Sequence, residues 1–283
     1  MLTIILPAKN ESRSLQALLP VLKQQFPDAE IIVVDDGSND DTVGICQSCS
    51  VKIISHRYSK GNGAAIKSGT RAASGDILIF MDADGQHKPE DISLLLEKFN
   101  EGYDMVVGAR ITGSHAGTHR AVANDIFSRI ASWMTGQKVA DLTSGFRVVK
   151  ASLFRKFLYL LPNGFSYPTT ITMSFFRAGY SVGYLPIHTP RRLGKSHIRP
   201  LQDGLRFLLI IFKIGTLYSP LKLFVPVSFA FFFGGLSHYL YTFITAHRFT
   251  NMSALLLSAS IIIFLIGLIS EQITMLNYKD SDS

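Results

Sequence analysis

Asp82 and Asp84 are separated by one residue and follow the apolar run 76–80, with Gln86 and His87 just beyond. In an extended segment alternate side chains point the same way, so both carboxylates face one site. Two carboxylates that close repel unless a cation joins them. Oxygen ligands with open positions suit Mg²⁺ or Mn²⁺ holding a substrate diphosphate. A second acidic pair, Asp35 and Asp36, follows the apolar run 30–34. A carboxylate of this kind can accept hydrogen bonds from a nucleobase edge or a ribose diol.

Several other chemistries are excluded by their own spacing rules. KGNGAAIKSG (60–69) invites a phosphate-loop reading, but Ile66 stands where a Walker A loop needs glycine, and a dinucleotide fingerprint fails at the same position. No G-x-S-x-G elbow is present. Cys46 and Cys49 have no second ligand pair for zinc, and they lie too far beyond the preceding strand for a thioredoxin-like motif, so they read as small helix residues.

The elements that position these residues alternate. Residues 2–6, 30–34, 51–55, 76–80 and 104–108 are short β-branched apolar runs bounded by turn formers, and helical patterns occupy 11–25, 40–49, 62–73, 89–100 and 119–135. Such alternation predicts an α/β fold, a mostly parallel sheet with helices on both faces. Ligands bind beyond the carboxyl ends of the strands in such sheets, where both acidic pairs lie.

After about Gly204 the chain changes character. Residues 205–217 are apolar with Arg206 and Lys213 inserted, which predicts a helix lying in a headgroup plane. Leu223 to Ala246 and Asn251 to Ser270 contain no Asp, Glu, Lys or Arg, and each is long enough for a transmembrane helix. Glu271, near the inner end of the second span, reads as an interface residue. The whole chain carries a net charge of +7, and residues 191–222 hold seven basic residues against Asp203 alone. This basic block lacks interleaved aromatics and any nucleic-acid motif, so it predicts contact with membrane lipids or phosphate and no nucleic-acid partner. The N-terminal run is too short for a signal peptide. With the positive-inside rule, the catalytic part and both termini are expected in the cytoplasm. The expected organisation is a catalytic domain over 1–203, an interfacial helix over 204–219 and a two-helix anchor over 220–283.

IILPAKNES, VVDDGSNDDT, KGNGAAIKSG, MDADGQH, GAR and DLTSGFR occur in one order. This set resembles the family 2 glycosyltransferases of GT-A (Rossmann-like) fold, in particular those that act on polyprenyl phosphates. The resemblance covers roughly residues 1–200. It implies inverting transfer from a UDP- or GDP-linked sugar to a polyprenyl (undecaprenyl or dolichyl) phosphate, with Mg²⁺ or Mn²⁺, at a bacterial inner membrane. It assigns Pro7, Asn10, Glu11, Asp35 and Asp36 to the nucleotide, and Lys60, Gly61 and Gly63 to the segment beside the base. It assigns Asp82, Ala83 and Gln86 to the donor diphosphate, and Asp82, Asp84 and Gln86 to the metal, with Asp84 the direct ligand. Asp141 falls where the family places a carboxylate near the acceptor, with the usual role of general base. A lipid monophosphate has a second pKa of about 6 and is already largely ionised at neutral pH, so Asp141 can orient as much as deprotonate; its structural alternative is to cap the turn at Thr143 and Ser144. Arg110, Arg120, Arg147, Arg191, Lys195 and His197 are the candidate cations for the acceptor phosphate. Relatives of this architecture can be tetrameric, which makes a homotetramer the analogy.

Two other readings fit the sequence less well. A processive polysaccharide synthase would carry Q-x-x-R-W before its spans, and Gln202 is followed by DGLRF instead. A membrane-anchored nucleotide-sugar scaffold without turnover would not need Asp82, Asp84 and Asp141 together. A different lipid or glycan acceptor is the remaining alternative.

Overall fold

A computed structural model of the 283-residue chain describes residues 1–110, 128–164, 167–188, 212, 215–216 and 218–279. The chain divides into two compact units, Met1–His197 and Ile198–Ser283.

In the first unit seven strands form one sheet: β1 (Leu2–Ala8), β2 (Glu30–Asp35), β3 (Lys52–Ser55), β4 (Ile77–Phe80), β5 (Met105–Arg110), β6 (Arg147–Lys150) and β7 (Val182–Ile187). Their order is β3-β2-β1-β4-β6-β5-β7. The pairs β3–β2, β2–β1, β1–β4 and β5–β7 are parallel, and β6 runs against both β4 and β5. The helices are α1 (Ser12–Gln25), α2 (Thr42–Ser48), α3 (Asn62–Ala72), α4 (Glu90–Phe99), α5 (128–135), α6 (Ala151–Lys156) and α7 (Tyr167–Arg177).

The five apolar runs expected as strands are β1 to β5. The central strands are buried on both faces, which is why they read as continuous apolar runs. Alternate residues of β1 separate into two layers. Ile4 and Leu6 join a core with Leu15, Leu18, Leu19 and Leu22 of α1 and Ile92, Leu95 and Phe99 of α4. The α1 leucines recur at helical spacing and so form the single stripe that docks on the sheet. Acidic Glu90 and Asp91 occupy the first turn of α4, at the positive end of its dipole. Strands β6 and β7 and helices α6 and α7 were not expected from the sequence. Strand β6 has only four residues, and β7 contains Pro186, tolerated because β7 is an edge strand.

The second unit is a hairpin of α8 (Pro220–Ala246) and α9 (Asn251–Lys279). The helices measure 27 and 29 residues, and only 11% and 17% of their apolar windows is buried within the molecule. They are therefore candidate membrane spans, long and apolar enough to cross, with side chains facing outward rather than into a protein core. His247, in the left-handed region at φ 50°, ends α8. Polar side chains bond across the hairpin: Ser228 donates to the Ser260 carbonyl at 2.9 Å, and His238 Nδ1 meets Ser253 Oγ at 3.0 Å. Glu271 is buried at 9% exposure and accepts from the Leu221 N–H at 3.4 Å, so it satisfies a first-turn donor of α8 rather than lying free at an interface. Most of the expected interfacial helix, 204–219, lies outside the described residues.

Leu19 is fully buried between α1 and the sheet. Leu19→Ala should destabilise the first unit by about 3 kcal/mol, read as a lowered melting temperature of the detergent-solubilised chain.

Candidate active site

Strands β1, β2, β4 and β5 all point their carboxyl ends to one edge, and the antiparallel β6 starts there. The register pairs Arg147 with Phe80 of β4 and with Val107 of β5. The DLTSGFR segment therefore enters the sheet between the DADGQH loop after β4 and the GAR end of β5.

Asp36 organises the nucleotide side of this edge. Its carboxylate receives His56 Nδ1 at 2.7 Å, the Ser59 hydroxyl at 2.7 Å, and the backbone N–H groups of Lys60 at 2.8 Å and Gly61 at 2.9 Å. His56 Nε2 meets Ser68 Oγ of α3 at 2.9 Å. Burial alone would raise the Asp36 pKa, but these four bonds to the charged form outweigh it and hold the group at about 2. The sequence-based expectation gave this carboxylate to the base or ribose. In the structure its acceptor sites are occupied by the protein, and it sets the shape of the 59–61 loop instead. Asp35 caps the same turn through the Ser38 N–H at 2.9 Å.

The loops after β1 and β2 are laced together. Asn10 Oδ1 accepts from the Asn39 N–H at 2.8 Å, the Asn10 N–H donates to Ser38 Oγ at 2.8 Å, and the Glu11 N–H to Thr42 Oγ1 at 3.3 Å. Pro7 lies half-buried in β1, level with Val34. The Lys60 ammonium stands over the exposed Tyr58 ring at 5.7 Å from its centroid. Gly61 and Gly63 were expected to admit a base. They admit the protein's own backbone: a Cβ at Gly61, where φ is 99°, would sit 2.6 Å from the Asn163 carbonyl oxygen, and one at Gly63 2.0 Å from that of Pro162. Only a residue without a Cβ lets α3 approach the 162–164 loop this closely.

On the diphosphate side the chain turns at Ala83, so the extended geometry inferred for Asp82 and Asp84 does not hold. Asp84 accepts the Gln86 N–H at 3.1 Å inside that turn, and Ala83 is buried at 2% exposure. Asp82 alone of this loop lines a cavity of about 150 Å³, together with Asn62, Thr143, Gly145, Tyr167 and Thr169. His87 was seen in the motif and given no role. Its ring stacks on Phe146 at 4.7 Å between centroids and brings Nε2 within 3.6 Å of Asp82 Oδ2.

Asp141 is buried and paired with Arg110 through Nε at 2.8 Å and Nη2 at 3.1 Å. It also caps the following turn through the N–H groups of Thr143 at 2.9 Å and Ser144 at 3.1 Å. Burial opposes ionisation, but Arg110 and these donors dominate and hold the carboxyl below the usual range. A carboxylate held this way is a poor proton acceptor. The capping alternative describes its geometry, with the ion pair added. Arg110 spends its Nε–Nη2 edge on Asp141; burial lowers the pKa of its guanidinium, but the Asp141 carboxylate outweighs that and raises it above the ordinary value. Arg147 cannot meet an acceptor phosphate in this geometry, because it is fully buried and bonded to protein carbonyls. Arg120, Arg191, Lys195 and His197 lie outside the described residues.

The donor types present are those of a divalent-cation site, two carboxylates and an amide, with Asp82 the one that faces the cavity. Among the described residues no cluster of three His, Cys, Asp or Glu could enclose an ion. Asp82, Asp84 and the Gln86 amide offer a partial, oxygen-rich set, as expected of Mg²⁺ or Mn²⁺ sites completed by substrate phosphate and water.

The chain is similar to known glycosyltransferases in family and in fold. Residues 3–159 match the family model for glycosyl transferase family 2, and residues 219–276 match that for the GtrB C-terminal hairpin. The polyprenol monophosphomannose synthase of Mycolicibacterium smegmatis is 30% identical over 68% of this chain and 79% of its own length. The undecaprenyl-phosphate mannosyltransferase of Micrococcus luteus is 31% identical over 68% and 85%. The glucosyl-3-phosphoglycerate synthase of Mycobacterium tuberculosis, solved with Mn²⁺ and UDP, has the same fold: TM-score 0.59 at 19% identity, over 76% of this chain and 78% of that one.

The low pKa of Asp36 has a stability consequence. Its folded value of about 2 lies below the ordinary 3.8, so its contribution is full above pH 4 and disappears as pH falls from about 4 to 2. Asp36→Asn should cost about 2 kcal/mol at pH 7, by the free energy of such a shift. The gap between the two melting curves should close as the pH falls through that window.

Proposed function

The chain belongs to glycosyl transferase family 2 and is a membrane-associated glycosyltransferase, and on that premise we propose that it transfers a sugar from a UDP- or GDP-linked donor to a polyprenyl phosphate, with inversion at the anomeric carbon. One observation carries the reading. A strand-end edge where Asp82 faces a cavity occurs on the same chain as an outward-facing apolar hairpin. Relatives at 30% and 31% identity are polyprenyl-phosphate sugar transferases by name. Residues 1–203 are the proposed catalytic part, 204–219 an interfacial helix and 220–283 the anchor, with both termini in the cytoplasm.

In the proposed reaction an acceptor phosphate oxygen forms a bond to the anomeric carbon as the bond from that carbon to the donor diphosphate breaks. The nucleoside diphosphate leaves. A phosphate monoester with a second pKa near 6 needs little deprotonation at neutral pH. That agrees with an Asp141 whose geometry suits orientation better than proton transfer. Held by Asp141 and Thr143, Arg110 would present a fixed cation near the reaction centre, where its charge favours an anionic acceptor. Asp82, Asp84 and Gln86 would hold Mg²⁺ or Mn²⁺, which when bound neutralises charge on the departing diphosphate. Asp36 and the 59–61 loop shape the nucleotide end. Much of the rate would come from positioning and charge neutralisation.

The test incubates the purified full chain with undecaprenyl phosphate, Mg²⁺ or Mn²⁺ and a panel of radiolabelled nucleotide-sugars, and counts label in the organic phase. Label from one donor is expected, lost with EDTA, restored by added metal, and reduced on the order of 100-fold by Asp84→Ala. Absence of lipid label from every donor, in protein that binds nucleotide, would reject the polyprenyl phosphate acceptor.

A further inference from the structure

Arg147 has an unusual environment for a charged side chain. It is the first residue of β6, it is 0% exposed, and its hydrogen bonds run to neutral acceptors. One terminal nitrogen, Nη2, donates to the Ser144 carbonyl. The other, Nη1, donates to the Pro168 carbonyl at 3.3 Å and the Thr172 hydroxyl at 3.2 Å. The guanidinium carbon lies 5.8 Å from the Tyr167 ring centroid. Among the described residues its Nε has no partner, nor has the buried Ser144 hydroxyl nearby in the chain.

Two of those acceptors sit in segments that wall the cavity lined by Asp82: Pro168 lines it directly, and Ser144 lies between Thr143 and Gly145, which do, while Thr172 is one turn farther along α7. Thr143 and Gly145 form one wall, and Tyr167, Pro168 and Thr169 the other. Two weaker bonds also join them: the Tyr167 hydroxyl donates to the Gly145 carbonyl at 3.3 Å, and the Thr169 hydroxyl to the Leu142 carbonyl at 3.3 Å. Among the described residues that bridge these segments, Arg147 alone is charged. A buried charge left with an unused donor is costly, and an apolar side chain often replaces such a group without loss of stability. Retaining Arg here is therefore poorly explained by packing.

We infer that Arg147 is a positioning residue for transfer: its guanidinium fork ties the 143–145 and 167–169 segments at a fixed separation, and so sets the cavity in which the donor's sugar end meets the acceptor. The inference rests on the function proposed above. It differs from a phosphate-contact role, because the side chain reaches no open surface. On the function proposed above, the nucleotide end is shaped by another network, that of Asp36, His56 and the 59–61 loop, which shares no bond with Arg147 among the described residues. Loss of the fork should therefore slow turnover and leave nucleotide binding nearly intact.

The test compares wild type, Arg147→Lys and Arg147→Met as full chains in detergent. Melting temperature, affinity for UDP and GDP, and donor KM and kcat are measured. Turnover is followed as released nucleoside diphosphate, with and without polyprenyl phosphate. This readout also registers transfer to water, so rejection of the lipid acceptor in wild type is distinguishable from failure of the Arg147 role. Nucleotide affinity within about 3-fold of wild type is expected in both variants. With positioning as the affected step, kcat should fall on the order of 10-fold for Lys, which keeps a charge without the fork, and 100-fold for Met. Wild-type kcat in either folded variant would overturn the inference, as would nucleotide affinity that falls in step with kcat. Should Arg147→Met not fold, Arg147→Lys decides by the same criteria.

Discussion

Strand β6 runs against its two neighbours, and the composition of the catalytic edge follows from that reversal. A parallel strand at this place would deliver its carboxyl end to the edge and its preceding loop to the far side of the sheet. Because β6 is antiparallel, the segment before it, 141–146, arrives at the edge where β4 and β5 finish. Asp141 then meets Arg110 at the end of β5, and Gly145 comes against Asp82 just past β4, where a Cβ would lie 3.1 Å from the carboxylate. Residues separated by some 60 positions in the chain share one cavity as a result.

The carboxylates at this edge are largely committed to donors of the protein itself. Asp36 is saturated by four donors, Asp40 is held near pKa 2 by Thr42 and Ser12 after burial is offset, and Asp141 and Arg110 form a closed pair. Each such network converts a flexible loop into a defined one with no ligand present, and so lowers the ordering cost of binding. The arrangement also keeps the local field from being dominated by bare carboxylates, which would repel a diphosphate.

Much of the first unit was legible in the sequence because its strands carry their own signal. The buried runs of β1, β2 and β4 need no tertiary information to be recognised, and the leucine stripe of α1 has an unambiguous period. The second half was harder. Arg147-Val-Val-Lys150 is too short to show alternation, and β7 is interrupted by Pro186. Site chemistry was legible as a set of residue types but not as a set of allegiances. Nothing in VVDDGS announces that His56, twenty residues on, will occupy Asp36. The glycines of KGNG likewise give no hint that their neighbour is Asn163 or Pro162 rather than a ligand. Arg147 was grouped with the phosphate-binding cations because Arg suits phosphate, and only its burial separates it from them. Tyr167 and Thr169 were missed outright, since an aromatic and a hydroxyl on a helix carry no motif.

The hairpin's internal hydrogen bonds bear on how the protein is made. Ser228, His238, Ser253 and Glu271 are polar groups among apolar residues, and each is expensive to expose to hydrocarbon singly. Paired across α8 and α9, with only the four residues His247–Thr250 joining the helices, they satisfy one another. The energetically sensible unit of insertion during synthesis is then the folded pair: α8 gains by waiting at the edge of the bilayer until α9 has emerged from the ribosome.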